Sequence, residues 1–92
     1  IRVILCALLP VSDYGKAPQT VRRPPSDILK LNAWLKEYAA SAGAVYADYY
    51  TALVDDKGLL RQGLSQDGLH PNPQGYELMA PVAAAAIEKA LQ

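Results

Sequence analysis

The chain contains a single cysteine among its 92 residues, so no disulfide bond can form within it. Cys6 lies inside the apolar run from Val3 to Leu9, where we expect it to be a small buried hydrophobic residue. No apolar stretch approaches the roughly 18 to 20 residues that are needed to cross a bilayer. The first residues also lack the charged segment and cleavage site of an export signal.

The chain also has no excess of positive or negative charge. Nine Lys and Arg residues balance nine Asp and Glu residues, so no long-range attraction to a polyanion or an acidic membrane is expected. This balance argues against nucleic acid as a partner. The hydrophobic fraction of 51% is that of a folded globular protein, which excludes a disordered chain.

The length allows one small domain at most, and it is below the size at which a parallel α/β sheet usually closes its own core. The sequence has no initiator Met and opens directly on the pattern of a buried strand. We therefore expect the chain to be cut from a longer polypeptide. If that parent is secreted or periplasmic, its export signal would lie in the missing part.

The first half of the chain has the pattern of a β-α-β unit. The apolar run from Arg2 to Leu9, stopped by Pro10, predicts a strand buried on both faces, and the polar segment from Pro10 to Asp27 predicts a long loop. A helix capped by Ser26 or Asp27 should follow, with Gly43 at its end. Ala44 to Tyr50 predicts a second, parallel strand. The apolar positions expected on the helix are Ile28, Leu31, Leu35, Tyr38, Ala39 and Ala42.

The second half ends in another predicted helix. A turn at Asp55 to Gly58 and a loop from Leu59 to His70 lead to Asn72, which can cap the helix, with Pro73 in its first position. Pro81 should bend the helix, because it removes one backbone hydrogen bond. The expected apolar face comprises Tyr76, Met79, Ala80, Ala83, Ile87, Ala90 and Leu91.

His70 is the only histidine, and Asp67 precedes it by three positions. In serine hydrolysis an imidazole takes the proton of the nucleophile, while a carboxylate holds the other ring nitrogen and stabilises the imidazolium. A short Asp-x-x-His loop supplies both groups. Gly68 frees the backbone between them, and Pro71 favours an extended conformation at His70. This loop and the Pro10 to Asp27 loop both follow carboxyl ends of strands, where open α/β sheets place their ligand sites.

The segment Asp67-Gly-Leu-His-Pro-Asn-Pro-Gln-Gly-Tyr76 resembles the last motif of the SGNH, or GDSL-like, hydrolases. Val3 to Val11 is similar to the penultimate strand of that family and Ala44 to Tyr50 to its last strand, so the likeness covers nearly the whole chain. The resemblance implies a three-layer α/β/α (flavodoxin-like) parallel-sheet fold, of which residues 1–92 would be the C-terminal β-α-β-α portion of a single domain.

The resemblance further implies that Asp67 orients His70 and that His70 is the general base for a serine in the N-terminal part of the enzyme. The Gly-Asp-Ser block of that serine, and the blocks that carry the oxyanion donors, are absent from this sequence. Ser12, Ser26, Ser41 and Ser65 are interpreted instead as cap or loop residues. The substrate would be an acyl ester of a lipid, a carbohydrate or a small alcohol, and no cofactor or metal is implied.

Other interpretations remain open at this point. The pair could be a local surface contact, or two ligands of a metal site, although zinc requires three or four ligands. Asp48, at the end of the second strand, could be a site residue, but the cap of a loop is favoured. Trp34 and Tyr38, one helical turn apart, are interpreted as packing residues rather than recognition residues. Tyr14, Arg22 and Arg23 could touch substrate, but solvated loop positions are favoured.

The sequence therefore leaves two hypotheses about function open. The parent is expected to be an esterase, whereas the isolated chain is expected to be an inactive α/β fragment or interaction module. With one strand edge open, the chain is expected to self-associate or to pair with the missing N-terminal half.

Overall fold

The computed structural model describes all residues, 1–92, and contains two strands and three helices. No helix combines the length and the apolar character that a membrane span requires. Along the chain the elements are β1 (Ile4–Cys6), α1 (Pro25–Ala42), β2 (Val45–Ala47), α2 (Tyr49–Leu53) and α3 (Pro73–Ala90).

The two strands pair in parallel, with Ile4 opposite Val45 and Cys6 opposite Ala47, and α1 connects them. This arrangement confirms the predicted β-α-β unit. Both strands are shorter than predicted, because β1 is paired only where β2 runs beside it and because Asp48 begins a helix directly after β2. The predicted burial of β1 on both faces is wrong: Ile4 is half-buried and Cys6 is exposed. Helix α3 covers that side of the strand only in part: Ile4 packs at the margin of the cluster formed by Val45, Ala47 and Ala86.

Helix α1 begins differently from the prediction. Neither Ser26 nor Asp27 is its cap; both lie in the first turn, after Pro24 and Pro25. Pro25 has no N–H to satisfy and its ring favours helical φ, while the carboxylate of Asp27 interacts favourably with the helix dipole. The predicted end is confirmed, because Gly43 adopts the left-handed conformation with φ of 72° and its N–H bonds the carbonyl of Ala39.

The buried face of α1 is narrower than its apolar pattern predicts. Ile28, Asn32 and Ala39 are buried, whereas Leu31 and Tyr38 are exposed. A two-stranded sheet and the few residues beside it are too narrow to cover the whole apolar stripe of the helix. Trp34 and Tyr38 are both exposed, and their rings stack on each other with centroids 5.2 Å apart.

Helix α2 was not predicted, since its residues were assigned to the second strand and the segment after it. Asp48 caps it by accepting hydrogen bonds from the Thr51 N–H at 3.1 Å and the Thr51 hydroxyl at 2.7 Å. Asp48 is therefore a cap, as expected. The short helix buries Tyr50 and Leu53.

The predicted turn after α2 is confirmed. The Asp55 carboxylate accepts hydrogen bonds from the N–H groups of Lys57 and Leu59, and an antiparallel bridge joins Val54 to Leu60. These contacts fold the chain back so that the following loop returns to the carboxyl end of β1, where the Leu60 N–H bonds the carbonyl of Val11.

Helix α3 starts as predicted: the Asn72 side chain accepts the Gly75 N–H at 2.9 Å, and Pro73 occupies the first turn. Its inner face differs from the prediction. Gly75 and Ala86 are buried, whereas Tyr76, Ile87 and Leu91 are exposed. Small residues allow the helix to approach its neighbours closely: Ala86 packs against β2, and Gly75 lies against the loop that precedes the helix.

The core consists of two clusters. One combines Ala7 and Val11, at and beyond the end of β1, with Ile28 of α1 and Tyr50 of α2. The other joins Val45 and Ala47 of β2 to Ala86 of α3. Each long helix thus packs one cluster against the strands.

Candidate active site

Asp67 and His70 lie in the loop between α2 and α3. Backbone contacts within the chain hold both ends of the segment that carries them. An antiparallel bridge joins Ser65 to Pro71, and the Asn72 N–H bonds the carbonyl of Leu64 at 2.8 Å. The same Asn72 caps α3. The start of the last helix and the closure of the loop are therefore set by one residue, which holds the Asp-x-x-His turn at the amino end of α3.

The two predicted site residues are in direct contact. Nδ1 of His70 lies 2.7 Å from Oδ2 of Asp67, the distance of a strong hydrogen bond. Because the carboxylate is an acceptor, it favours the tautomer or charge state in which Nδ1 carries the proton. Nε2 has no hydrogen-bond partner within the chain, and 75% of the His70 side chain is exposed. The geometry leaves Nε2 free to exchange a proton with a group that approaches from outside.

The second carboxylate oxygen of Asp67 is held by its own turn. Oδ1 accepts hydrogen bonds from the N–H groups of Leu69 and His70, both at 2.8 Å, and from the Ser65 hydroxyl at 3.1 Å. The hydrogen bond with the His70 ring, followed by those from the backbone N–H groups of His70 and Leu69, keeps the pKa of the Asp67 carboxyl well below its usual range. Asp67 is therefore an anion at neutral pH.

The loop after β1 packs against this turn, as predicted from the strand ends. The Ser12 N–H bonds the carbonyl of Gly68 at 2.8 Å. Gly68 has a φ of 80°, and a Cβ there would collide with the carbonyl oxygen of Ser12. A Cβ on Gly15 would likewise collide with the carbonyl of Asp67. Two glycines thus allow the two loops to meet backbone to backbone.

An apolar groove of about 420 Å³ opens beside the His70 ring. Arg23 stands at this groove, and its guanidinium donates a hydrogen bond to the side chain of Gln19 at 2.9 Å. Arg22 lies at a different depression of the surface. The Tyr14 hydroxyl donates a hydrogen bond to the backbone carbonyl of Arg61 at 3.2 Å. Of the three loop residues considered from the sequence, only Arg23 borders the groove. Its other lining residues are Leu8, Leu9, Val11, Ile28, Leu69, His70 and Pro71.

None of the four serines is hydrogen-bonded to His70. Ser26 and Ser41 are exposed on α1, and Ser12 and Ser65 are buried. The Ser65 hydroxyl faces Asp67 rather than the free side of the histidine ring. For a metal site, no group of three or more His, Cys, Asp or Glu side chains comes together anywhere in the chain.

The sequence interpretation missed the donors that surround Asp67. Ser65, for which the sequence predicts a cap or loop role, also donates to Asp67, a local hydroxyl–carboxylate contact that the Ser-x-Asp spacing allows. The two backbone donors follow from the turn itself, because an Asp at the start of a turn commonly accepts N–H groups two and three residues later.

The model of the GDSL-like lipase/acylhydrolase family matches residues 1–78. The chain belongs to this family. This result confirms the resemblance inferred from the sequence. No curated protein sequence gives a significant match.

Solved structures of the GDSL-like family have the same fold over the whole chain. A Bacteroides fragilis protein assigned as an acylhydrolase superimposes with a TM-score of 0.86 at 35% identity, covering 100% of this chain and 44% of its own. A GDSL-like lipase of Bacteroides thetaiotaomicron gives a TM-score of 0.82 at 32% identity, with 98% and 44% covered. The esterase domain of a zebrafish retrotransposon ORF1 protein, at 24% identity, shares the fold with a TM-score of 0.66 over 97% and 47%.

These superpositions confirm the α/β fold class. The chain spans about 44% of the length of the two Bacteroides structures. It therefore fits a part of a GDSL-like hydrolase.

Proposed function

We propose that residues 1–92 form the C-terminal part of a single serine ester hydrolase domain, in which Asp67 and His70 are the acid and the base of a Ser-His-Asp triad. The observation that carries this proposal is the 2.7 Å contact between Nδ1 of His70 and Oδ2 of Asp67, combined with an Nε2 that has no partner in the chain. Membership of the GDSL-like family supplies the reaction class.

In the proposed reaction, Nε2 of His70 accepts the proton of a serine hydroxyl from the rest of the enzyme. The serine oxygen attacks the acyl carbon, and the imidazolium then returns the proton to the departing alcohol. Water, deprotonated by the same nitrogen, releases the acid and regenerates the serine. Asp67 stays ionised throughout, and it stabilises the imidazolium each time that it forms.

The substrate is proposed to be an acyl ester, on a lipid, a carbohydrate or a small alcohol. The apolar groove beside His70 lies close enough to the ring to receive apolar substrate atoms, with Arg23 at its side. No cofactor and no metal take part in the proposed chemistry. The serine and the oxyanion donors would come from the part of the enzyme that pairs with this chain along the open edge of β1.

The isolated chain is proposed to be inactive, because the acid and the histidine of a triad supply neither a nucleophile nor an oxyanion hole. A serine-directed fluorophosphonate should therefore label the full-length protein and leave residues 1–92 unlabelled. Stoichiometric labelling of Ser12, Ser26, Ser41 or Ser65 would contradict the proposal.

The decisive variant is His70→Ala in the full-length protein. Turnover of p-nitrophenyl acetate should fall at least about a thousandfold, the usual cost of removing a triad member, and Asp67→Asn should cost less. Lys36→Ala, on the exposed side of α1, is the control and should retain activity. Near wild-type hydrolysis by His70→Ala would refute the assignment of the catalytic pair.

A further inference from the structure

The hydroxyl of Ser65 is the one side-chain donor, apart from His70 itself, that touches the Asp67 carboxylate. It donates to Oδ1 of Asp67 at 3.1 Å and accepts the N–H of Gly68 at 3.1 Å. Ser65 is 7% exposed, so water has little access to replace either bond. A single hydroxyl therefore joins the carboxylate to the backbone of the same turn.

The two carboxylate oxygens of Asp67 have different hydrogen-bond partners. Oδ1 receives the Ser65 hydroxyl and the N–H groups of Leu69 and His70, whereas Oδ2 receives only Nδ1 of His70. Both N–H donors come from residues after Asp67, and Ser65 approaches from before it. Rotation of the carboxylate about its terminal bond would break contacts on both sides. The three donors to Oδ1 thus keep Oδ2 directed at the histidine ring.

Ser65 is itself held in place by the framework of the loop. Its backbone forms the antiparallel bridge with Pro71, the residue that follows His70. The neighbouring Leu64 carbonyl accepts the N–H of Asn72, and Asn72 caps α3. The start of the last helix therefore fixes the backbone that carries the hydroxyl, and the bonds to Asp67 and Gly68 fix its rotamer.

We propose that Ser65 is a positioning residue for the Asp67–His70 pair, fixing the carboxylate so that Oδ2 holds the Nδ1 proton and orients the ring. The proposal rests on the proposed esterase function. Ser65 touches neither substrate nor the reacting atoms. Its effect is exerted through Asp67, and it should appear in the turnover step and in the hydrogen bond of the imidazole, with substrate binding unaffected.

The test uses Ser65→Ala in the full-length protein. Loss of one hydrogen bond to a charged group should lower kcat on the order of tenfold, while KM stays within about twofold. The proton NMR resonance of the Nδ1–H of His70 should shift or broaden, because its acceptor is no longer held. Thr51→Ala is the matched control: it removes a hydroxyl-to-carboxylate bond of the same kind, to Asp48 of the α2 cap, and should leave kcat and the resonance unchanged.

The outcomes separate this proposal from the function on which it rests. Wild-type kcat and an unchanged Nδ1–H resonance in Ser65→Ala, with activity abolished in His70→Ala, would overturn the role of Ser65 alone. Activity retained in His70→Ala would overturn the proposed function. If Ser65→Ala does not fold, Ser65→Cys, a weaker donor of similar size, replaces it: a lowered kcat supports the role and a wild-type kcat contradicts it.

Discussion

The side-chain amide of Asn32 bonds both backbone groups of Leu8. The Leu8 N–H donates to Oδ1 of Asn32 at 2.8 Å, and Nδ2 of Asn32 donates to the Leu8 carbonyl at 3.0 Å. Leu8 lies just beyond the end of β1, where no other strand of the chain runs beside it. A helix side chain therefore takes the place of a neighbouring strand, and it fixes one wall of the groove beside His70.

Replacing Asn32 by Leu should destabilise the full-length protein by about 2 to 6 kcal/mol, since an N–H and a carbonyl would lose their partners at about 1 to 3 kcal/mol each. The change would be measured as a lower midpoint of urea unfolding. Lys36→Leu, on the exposed side of the same helix, serves as the control and should stay within about 0.5 kcal/mol of wild type. Equal midpoints for the two variants would contradict the role of Asn32.

Gly68→Ala should separate the two loops of the site. The left-handed backbone alone costs an alanine about 1 to 2 kcal/mol, and the new Cβ would in addition collide with the carbonyl oxygen of Ser12. Gly63 is the matched control, because it has a φ of 92° but nothing within 4 Å of the position of a Cβ. Gly68→Ala should therefore lose more stability than Gly63→Ala, together with ester hydrolysis. The proposed close approach fails if the two variants unfold at the same urea concentration.

The stability that Asp67 contributes should disappear in acid. Its pKa is lowered in the folded protein by the His70 ring first and by the backbone donors second, so the folded state binds a proton there less readily than the unfolded state. The contribution is complete above the unfolded pKa, near pH 4, and is lost as the pH falls through the lower folded value. The difference in free energy of unfolding between wild type and Asp67→Asn should accordingly shrink between pH 5 and pH 2, as urea titrations would show. A difference that is constant over this range would contradict the assigned contacts.

The isolated chain should self-associate through the open edge of β1. The Ala7 N–H and the Val3 carbonyl bond β2, so the alternate residues Ile4 and Cys6 direct their backbone groups to the opposite edge. Val3 is 59% exposed, and no charge or proline interrupts this strand. Sedimentation equilibrium under reducing conditions should show a dimer or a larger species at micromolar concentration.

Cys6→Pro tests whether that edge is responsible. It removes one N–H from the open edge and leaves the donors to β2 in place, so it should shift the chain towards monomer. Cys6→Ser, which keeps the N–H, should associate like wild type. A folded wild-type monomer would show that the edge is covered by other means.

Local patterns in the sequence were sufficient for the elements with strong chemical signals. Asn72 followed by Pro73 defines the start of α3, Gly43 ends α1, and the spacing of Asp67 and His70 predicts the contact that is observed. Each of these features depends on residues at most a few positions apart, so the sequence carries the whole of the necessary information.

The features that the sequence did not reveal depend on distant partners. Cys6 stands in an apolar run that is typical of a buried strand, yet it is exposed in the folded chain. Asn32 has no unusual context in the sequence, and its importance comes from Leu8, 24 positions away. The inner face of α3 differs from its hydrophobic pattern because close contacts select small residues: Ala86 packs against Val45 and Ala47 of β2, and Gly75 lies against the loop at Leu64 and Pro71.

The Asp67–His70 contact is closed within a single turn, whereas the strands pair residues about 40 positions apart, such as Ile4 with Val45. Short loops close faster and at a smaller entropic cost than long ones. During folding the acid–base pair can therefore form at the amino end of α3 before the sheet exists. If the proposed function holds, the rate at which activity is acquired would depend on the slower docking of distant segments, because the Asp67–His70 pair would already be in contact.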